Sequence, residues 1–256
     1  MTGRAAPSTP RAAPRRRRVA FAPHVPSGSV TRFDAVVFDL DGTLCRHDQD
    51  ADEVYFGAFE RAGEDPFGAP ADLWAALDGA PDPQDRLGYL RDGFGAVADR
   101  HGRRDADVDA LARGFDAVVD NGAVSFLDGA EDGLAAARDR AAVGLMTNGP
   151  EHRQSTKLAS LGLEDAFEAV VYAGDMPRRK PHADPFDRTV AELSVSASST
   201  LYVGNSLEYD VAGAQGAGLP VAWCPEDGDA DAGTYDPDYV LESLSELAAV
   251  LDGARG

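Results

Sequence analysis

Val36-Val37-Phe38-Asp39-Leu40-Asp41-Gly42-Thr43-Leu44 decides the fold of this chain. An apolar run meets an acid, a second acid follows two positions on, and a glycine then lets the chain turn. That is the profile of a buried strand ending on charge. In open α/β sheets, ligands and chemistry gather at the carboxyl ends of strands, so Asp39 and Asp41 stand where a reaction can be run. Gly42 permits the turn that could bring both carboxylates to one cavity. An aspartate can attack phosphorus to form an aspartyl-phosphate, which splits hydrolysis into two easier steps. A second carboxylate can then move protons, provided that a neighbouring anion raises it above its reference pKa of about 3.9. Taken alone, Asp-x-Asp is better explained as two strand-end acids capping a turn.

The surrounding sequence repeats the strand signal. Short apolar runs at Ala35 to Asp39, Ala142 to Thr147, Ala169 to Tyr172, Leu201 to Gly204, Val221 to Trp223 and Tyr239 to Leu241 alternate with helical periods. Such alternation predicts βαβ units and a doubly wound, Rossmann-like parallel sheet of the α/β class. Phe186, Val190 and Leu193 form a helical stripe behind Asp184-Pro185, which predicts an N-cap followed by a proline at the first helical position. Leu244, Leu247 and Val250 repeat the pattern on a last helix. Residues 48–124 break the alternation: Tyr55, Phe59 and Ala62, then Leu87, Leu90, Phe94 and Val97, then Val108, Leu111, Phe115 and Val118 make three helical stripes. Gly63 to Pro70 and Gly79 to Pro83 punctuate them. The expected organisation is a core over 33–47 and 125–256, with a helical insert over 48–124.

Three later strand ends carry polar groups. Gly144-Leu145-Met146-Thr147-Asn148-Gly149 presents a hydroxyl and backbone amides beside a helix starting near Glu151, a suitable place for phosphate. Lys180, in Pro177-Arg178-Arg179-Lys180-Pro181, is a compact charge able to offset a phosphoryl group. Only Lys157 and Lys180 are lysines in the whole chain, so the retention of Lys180 is informative. Tyr202-Val203-Gly204-Asn205-Ser206-Leu207-Glu208-Tyr209-Asp210 supplies oxygen side chains that, with Asp39 and Asp41, suit a magnesium ion.

In this order the four segments resemble the haloacid dehalogenase-like superfamily over about Phe33 to Leu251, the specific part being Asp-Leu-Asp-Gly-Thr-Leu. The resemblance implies that Asp39 attacks and that Asp41 is the acid and base. It implies a phosphoryl site of Thr147, Asn148 and Lys180, and Mg²⁺ held at Asp39, the Asp41 carbonyl and the Asn205 region, with Asp210 in the metal set. It also implies that residues 48–124 are a helical cap that covers the site and selects a small phosphorylated metabolite. Sugar, nucleotide, phosphoglycolate and flavin-precursor phosphates all fit that description. One departure stands out, since the family commonly has aspartate where this chain has Asn205. The amide keeps an oxygen but loses a charge, and is expected to weaken Mg²⁺ binding unless Asp210 or Glu208 compensates. Dehalogenation is disfavoured by Asp41, which dehalogenases of the superfamily typically lack. A sugar phosphomutase and a non-catalytic binding protein remain as alternatives on the same scaffold.

Composition sets the outer bounds. The chain has 256 residues, a formal charge of −20 and 43% hydrophobic residues, as expected of a globular protein able to bury a large core. Scarce lysine and abundant aspartate fit adaptation to a salt-loaded cytoplasm, and a GC-rich genome also favours Arg, Ala, Gly and Asp. Residues 1–32 hold Arg4, Arg11, Arg15 to Arg18 and Arg32 and no acid, which predicts a disordered basic tail. The acidic body opposes a nucleic-acid partner for it. Cys45 and Cys224 are too few for a disulfide framework, and a reducing, cytoplasmic setting is expected. No apolar run is long enough for a membrane span. Monomer and homodimer are both open.

Overall fold

The computed structural model describes residues 33–77, 85–226 and 231–253. The tail expected over 1–32 and the break expected at Gly79 to Pro83 lie outside the described residues.

Strands β1 (Ala35–Phe38), β4 (Ala142–Thr147), β5 (Ala169–Tyr172), β6 (Thr200–Gly204), β7 (Val221–Trp223) and β8 (Tyr239–Val240) form one sheet in the order β5-β4-β1-β6-β7-β8. Every pairing in it is parallel. The chain builds outward from β1 to β4 and β5, then returns to lay β6, β7 and β8 on the other side. β1 therefore sits where the strand order reverses, and in such folds the crevice opens at that point. This is a Rossmann-like α/β core.

Alternate residues of β1 enter two different cores, as the pleat requires. Val36 and Phe38 pack with Val143, Leu145, Leu201 and Val203, a layer closed by Leu134 of α5 (Ala130–Arg138) and Leu251 of α9 (Leu247–Gly253). Val37 packs with Met146, Val171 and Tyr202, closed by Phe186 of α7 (Ala183–Glu192) and Ala214 of α8 (Ala212–Gly216). Burial on both faces is why β1 reads as an unbroken apolar run.

Helices α1 (Ala51–Ala62), α2 (Pro70–Ala76), α3 (Arg86–Arg100) and α4 (Val108–Val118) pack around a third core whose buried residues run from Val54 to Phe115. Tyr55, Phe59, Phe94 and Leu111 are fully buried there. Asp50 caps α1, accepting from Asp52 N at 2.7 Å, and Asp107 caps α4, accepting from Ala110 N at 2.9 Å. α1 and α4 cross closely: a Cβ at Gly114 would lie 2.6 Å from the Ala58 carbonyl oxygen.

Four departures from the sequence reading have local causes. The segment from Gly63 to Pro70 is not followed directly by α3, because Pro70 starts the short helix α2, which places Leu73 alone in the core and so shows no stripe. Leu87, assigned to the α3 stripe, is 43% exposed. Strands β2 (Cys45–His47) and β3 (Val124–Phe126) pair antiparallel where the chain enters and leaves the helical segment, and at three residues each they are too short to show alternation. Helix α7 begins at Ala183 behind His182, so Pro185 falls within the first turn and Asp184 pairs with Arg178 at 2.9 Å instead of capping. Among the described residues no helix is long and apolar enough to cross a membrane.

Candidate active site

The ladder continues past the end of β1, where Asp39 N donates to Val203 O at 2.9 Å. The Asp39 side chain thus emerges between β4 and β6, 6% exposed. Lys180, on the loop before α7, brings its ammonium to Asp39 Oδ1 at 2.8 Å, to Asp210 Oδ1 at 2.7 Å and to the Tyr202 hydroxyl at 2.9 Å. Tyr202 in turn donates to Asp210 Oδ1 at 3.1 Å, and Ser206 N donates to Asp210 Oδ2 at 2.9 Å. Asn148 pins the lysine from behind: Lys180 N donates to its Oδ1 at 2.9 Å, and its Nδ2 donates to Lys180 O at 3.1 Å.

One cation thus faces two carboxylates in a largely buried site. Burial pushes Asp39 up to about 7, against the pull of Lys180 and with help from the Asp210 and Asp41 charges. Burial works to lower Lys180, but Asp210 and Asp39 outweigh it and leave the amine above its ordinary value.

Asp41 faces the first helix after β4, α6 (Glu151–Ser160). Lys157 Nζ donates to Asp41 Oδ1, and Gln154 Nε2 reaches both Asp41 Oδ2 at 2.7 Å and Thr147 Oγ1 at 2.8 Å. Gly149 N also donates to Thr147 Oγ1, at 3.2 Å. Burial works to raise Asp41, yet the Lys157 charge and the bonds from Lys157 and Gln154 prevail and hold it below the usual carboxylate range. The expected upward shift by a neighbouring anion is therefore corrected. The nearest charge to Asp41 is a cation.

Two sets of contacts bear on roles inferred from the resemblance. The Asn148 side chain bonds the Lys180 backbone through both its oxygen and its nitrogen and so orients the lysine. Asp210 is 1% exposed with both oxygens engaged, by Lys180, Tyr202 and Ser206 N, so its carboxylate is the counter-ion of Lys180.

Gln154, Lys157 and Tyr202 received no role from the sequence. Lysine scarcity held the signal for one of them. The two lysines of the chain sit on the two aspartates of the opening motif.

Among the described residues no three His, Cys, Asp or Glu side chains converge as a metal cluster. A mixed oxygen set is present. Asn205, directly after β6, accepts from Thr43 Oγ1 at 3.3 Å through Oδ1. Its carbonyl accepts from Trp223 Nε1 at 2.7 Å. The turn after Asp41 passes so close that a Cβ at Gly42 would lie 2.3 Å from Asn205 Nδ2. Hard oxygen donors with few carboxylates suit Mg²⁺, which keeps several waters, and do not suit a thiolate- or imidazole-seeking metal. The residues present fit that ion.

A carboxylate at the strand-order reversal of a parallel sheet, gripped by a lysine from a later strand end, defines a class of hydrolase. A family model for haloacid dehalogenase-like hydrolases matches residues 33–218, and the chain belongs to that family. YfnB of Bacillus subtilis is 28% identical over 181 residues, 70% of this chain and 75% of YfnB. A phosphoglycolate phosphatase of Cereibacter sphaeroides is 32% identical over 189 residues, 73% of this chain and 83% of that protein. The solved structure of YfnB bound to magnesium superposes with a TM-score of 0.65 at 24% identity, covering 86% of this chain and 99% of YfnB. A 2-haloacid dehalogenase of Pseudomonas syringae pv. tomato superposes with a TM-score of 0.58 at 27% identity, covering 86% of this chain and 98% of the dehalogenase.

Proposed function

We propose that this chain is a Mg²⁺-dependent phosphatase of small phosphorylated metabolites, acting through an aspartyl-phosphate on Asp39. The observation that carries the reading is the placement of the two lysines, one on Asp39 and one on Asp41, in a chain that uses arginine everywhere else. A lone nucleophilic carboxylate would need one cation. Two compact cations flanking two acids match a dianionic group entering between them.

With Lys180 on Oδ1, the Asp39 Oδ2 atom attacks phosphorus in line, and the bond to the leaving oxygen breaks as the new one forms. The leaving oxygen takes a proton from Asp41. Water then attacks the phosphorus of the aspartyl-phosphate while Asp41 recovers a proton, releasing phosphate and free Asp39. Asp41 becomes a competent acid when the incoming phosphoryl group draws Lys157 away from it, since an anion then replaces a cation as its nearest charge. Thr147 Oγ1 and the Gly149 amide line the same side. The ion, held by Asp39, the Asp41 carbonyl and Asn205, would neutralise charge developing on the phosphoryl oxygens.

The relative named a phosphoglycolate phosphatase supports a substrate of this size. The helices α1 to α4 act in this reading as a cap that closes over the strand ends and selects the leaving group. Asp39→Asn is expected to reduce phosphate release from a generic aryl phosphate by at least about a thousandfold, with an unchanged circular dichroism spectrum. Retained turnover in that variant would remove the proposal. Chloride release from a 2-haloacid, assayed in parallel, is expected to be absent.

A further inference from the structure

Asn205 leaves the oxygen site one negative charge short. Of the two acids offered for compensation, Asp210 is committed to Lys180 and Tyr202, and Glu208 is exposed. A different carboxylate stands at the gap. Glu226 lies just past the carboxyl end of β7, the strand beside β6, and its Oε1 accepts from Asn205 Nδ2 at 3.3 Å. A carboxylate can only accept, so this contact decides which way the amide faces. Nδ2 turns to Glu226 and Oδ1 turns to Thr43, on the turn that follows Asp39 and Asp41. The approach is tight on all sides: a Cβ at Gly42 would lie 2.2 Å from Glu226 Oε1 and 2.3 Å from Asn205 Nδ2. With φ at +76° the glycine is in the left-handed region, and a larger residue would fill the space where three strand ends meet.

We propose that Glu226 is an acidic residue of the divalent-cation site, restoring from the β7 end the charge that an amide at 205 withholds and aiming the amide oxygen at the ion. The inference rests on the magnesium reading above and adds a residue from just beyond β7, the strand whose Trp223 already holds the Asn205 carbonyl. Two consequences separate it from a surface hydrogen bond. Charge at 226 should matter more than side-chain length, and an acid placed at 205 should make Glu226 dispensable.

Titration calorimetry of Mg²⁺ into the chelator-stripped full chain tests both. The unaltered chain is expected to bind saturably, and Glu226→Gln to bind at least about tenfold more weakly, or about 1.4 kcal/mol. Glu226→Asp is expected to retain most of the affinity, and Asn205→Asp combined with Glu226→Gln to return to within about threefold of the original. Equal affinity for the unaltered chain and Glu226→Gln would overturn the inference and leave the phosphatase reading standing. Absence of Mg²⁺ binding by the unaltered chain would overturn both.

Discussion

Burial and the Lys180 ammonium act on Asp39 in opposite directions, and burial prevails. Its carboxyl titrates at about 7 when folded, against 3.8 for an unperturbed aspartate, so the folded chain binds the extra proton between those values. Its contribution to stability is whole below about pH 3.8 and is lost as pH climbs through 7. Asp39→Asn, which mimics the protonated acid, is therefore expected to melt higher than the unaltered chain at pH 8 in chelator. The gap should close towards pH 4, at roughly 2–4 °C for each kcal/mol in a chain of this size. Equal melting temperatures at pH 8 would mean that Lys180 fully compensates the buried charge. Lys157 presents the opposite case, a cation that holds Asp41 below the usual carboxylate range. Lys157→Met is expected to lower kcat/KM for a phosphomonoester by about ten- to a hundredfold, measured by phosphate release, while phosphate loses its protection of the protein against thermal unfolding. Asp39 and Lys180 were legible because strand-end position and lysine scarcity point at them. Lys157 met the second criterion and not the first, being in mid-helix, and the reversal of its effect on Asp41 needed side-chain distances that no spacing rule supplies.

Elements were legible in proportion to their burial. Strands β1, β4, β6 and β7 are enclosed on both faces or nearly so, and such strands announce themselves as apolar runs. β2 and β3 are held by a neighbour and by the ends of the helical segment, forces that leave no periodic trace in three residues. The start of α7 was misplaced because Arg178 competes successfully for the Asp184 side chain. Within the helical segment, the α1 and α4 stripes were visible but the closeness of their crossing was not. Alanine is the better helix former by about 1 kcal/mol, so on propensity alone Gly114→Ala should stabilise. Here the added methyl would meet the Ala58 carbonyl oxygen at 2.6 Å, and overpacking of that kind costs about 1–3 kcal/mol. The expected outcome is a lower melting temperature, and an increase would show that α1 and α4 can separate at no cost.

On the scale of the whole molecule, a formal charge of −20 must be accommodated by one compact chain. Raising ionic strength from 0.1 M to 1 M shortens the Debye length from about 10 Å to 3 Å and removes most surface repulsion. The melting temperature is expected to rise as KCl is added over that range, and indifference to molar salt would reject the salt-adapted reading. Net charge was plain from composition, whereas the inward turn of both lysines was not. It leaves arginine as the surface cation among the described residues outside the active site.

The two sulfurs carry a practical consequence. Cys45 is buried beside the opening motif with its thiol pushed up to about 12, and burial raises that of half-buried Cys224 to about 11. Alkylating and maleimide reagents act on thiolates, so at neutral pH both sulfurs should stay silent. A reporter cysteine engineered on an outward face of α3 could then be tagged with a fluorophore in the otherwise unaltered protein. Any opening and shutting of the helical segment would become visible without first stripping the chain of its own thiols.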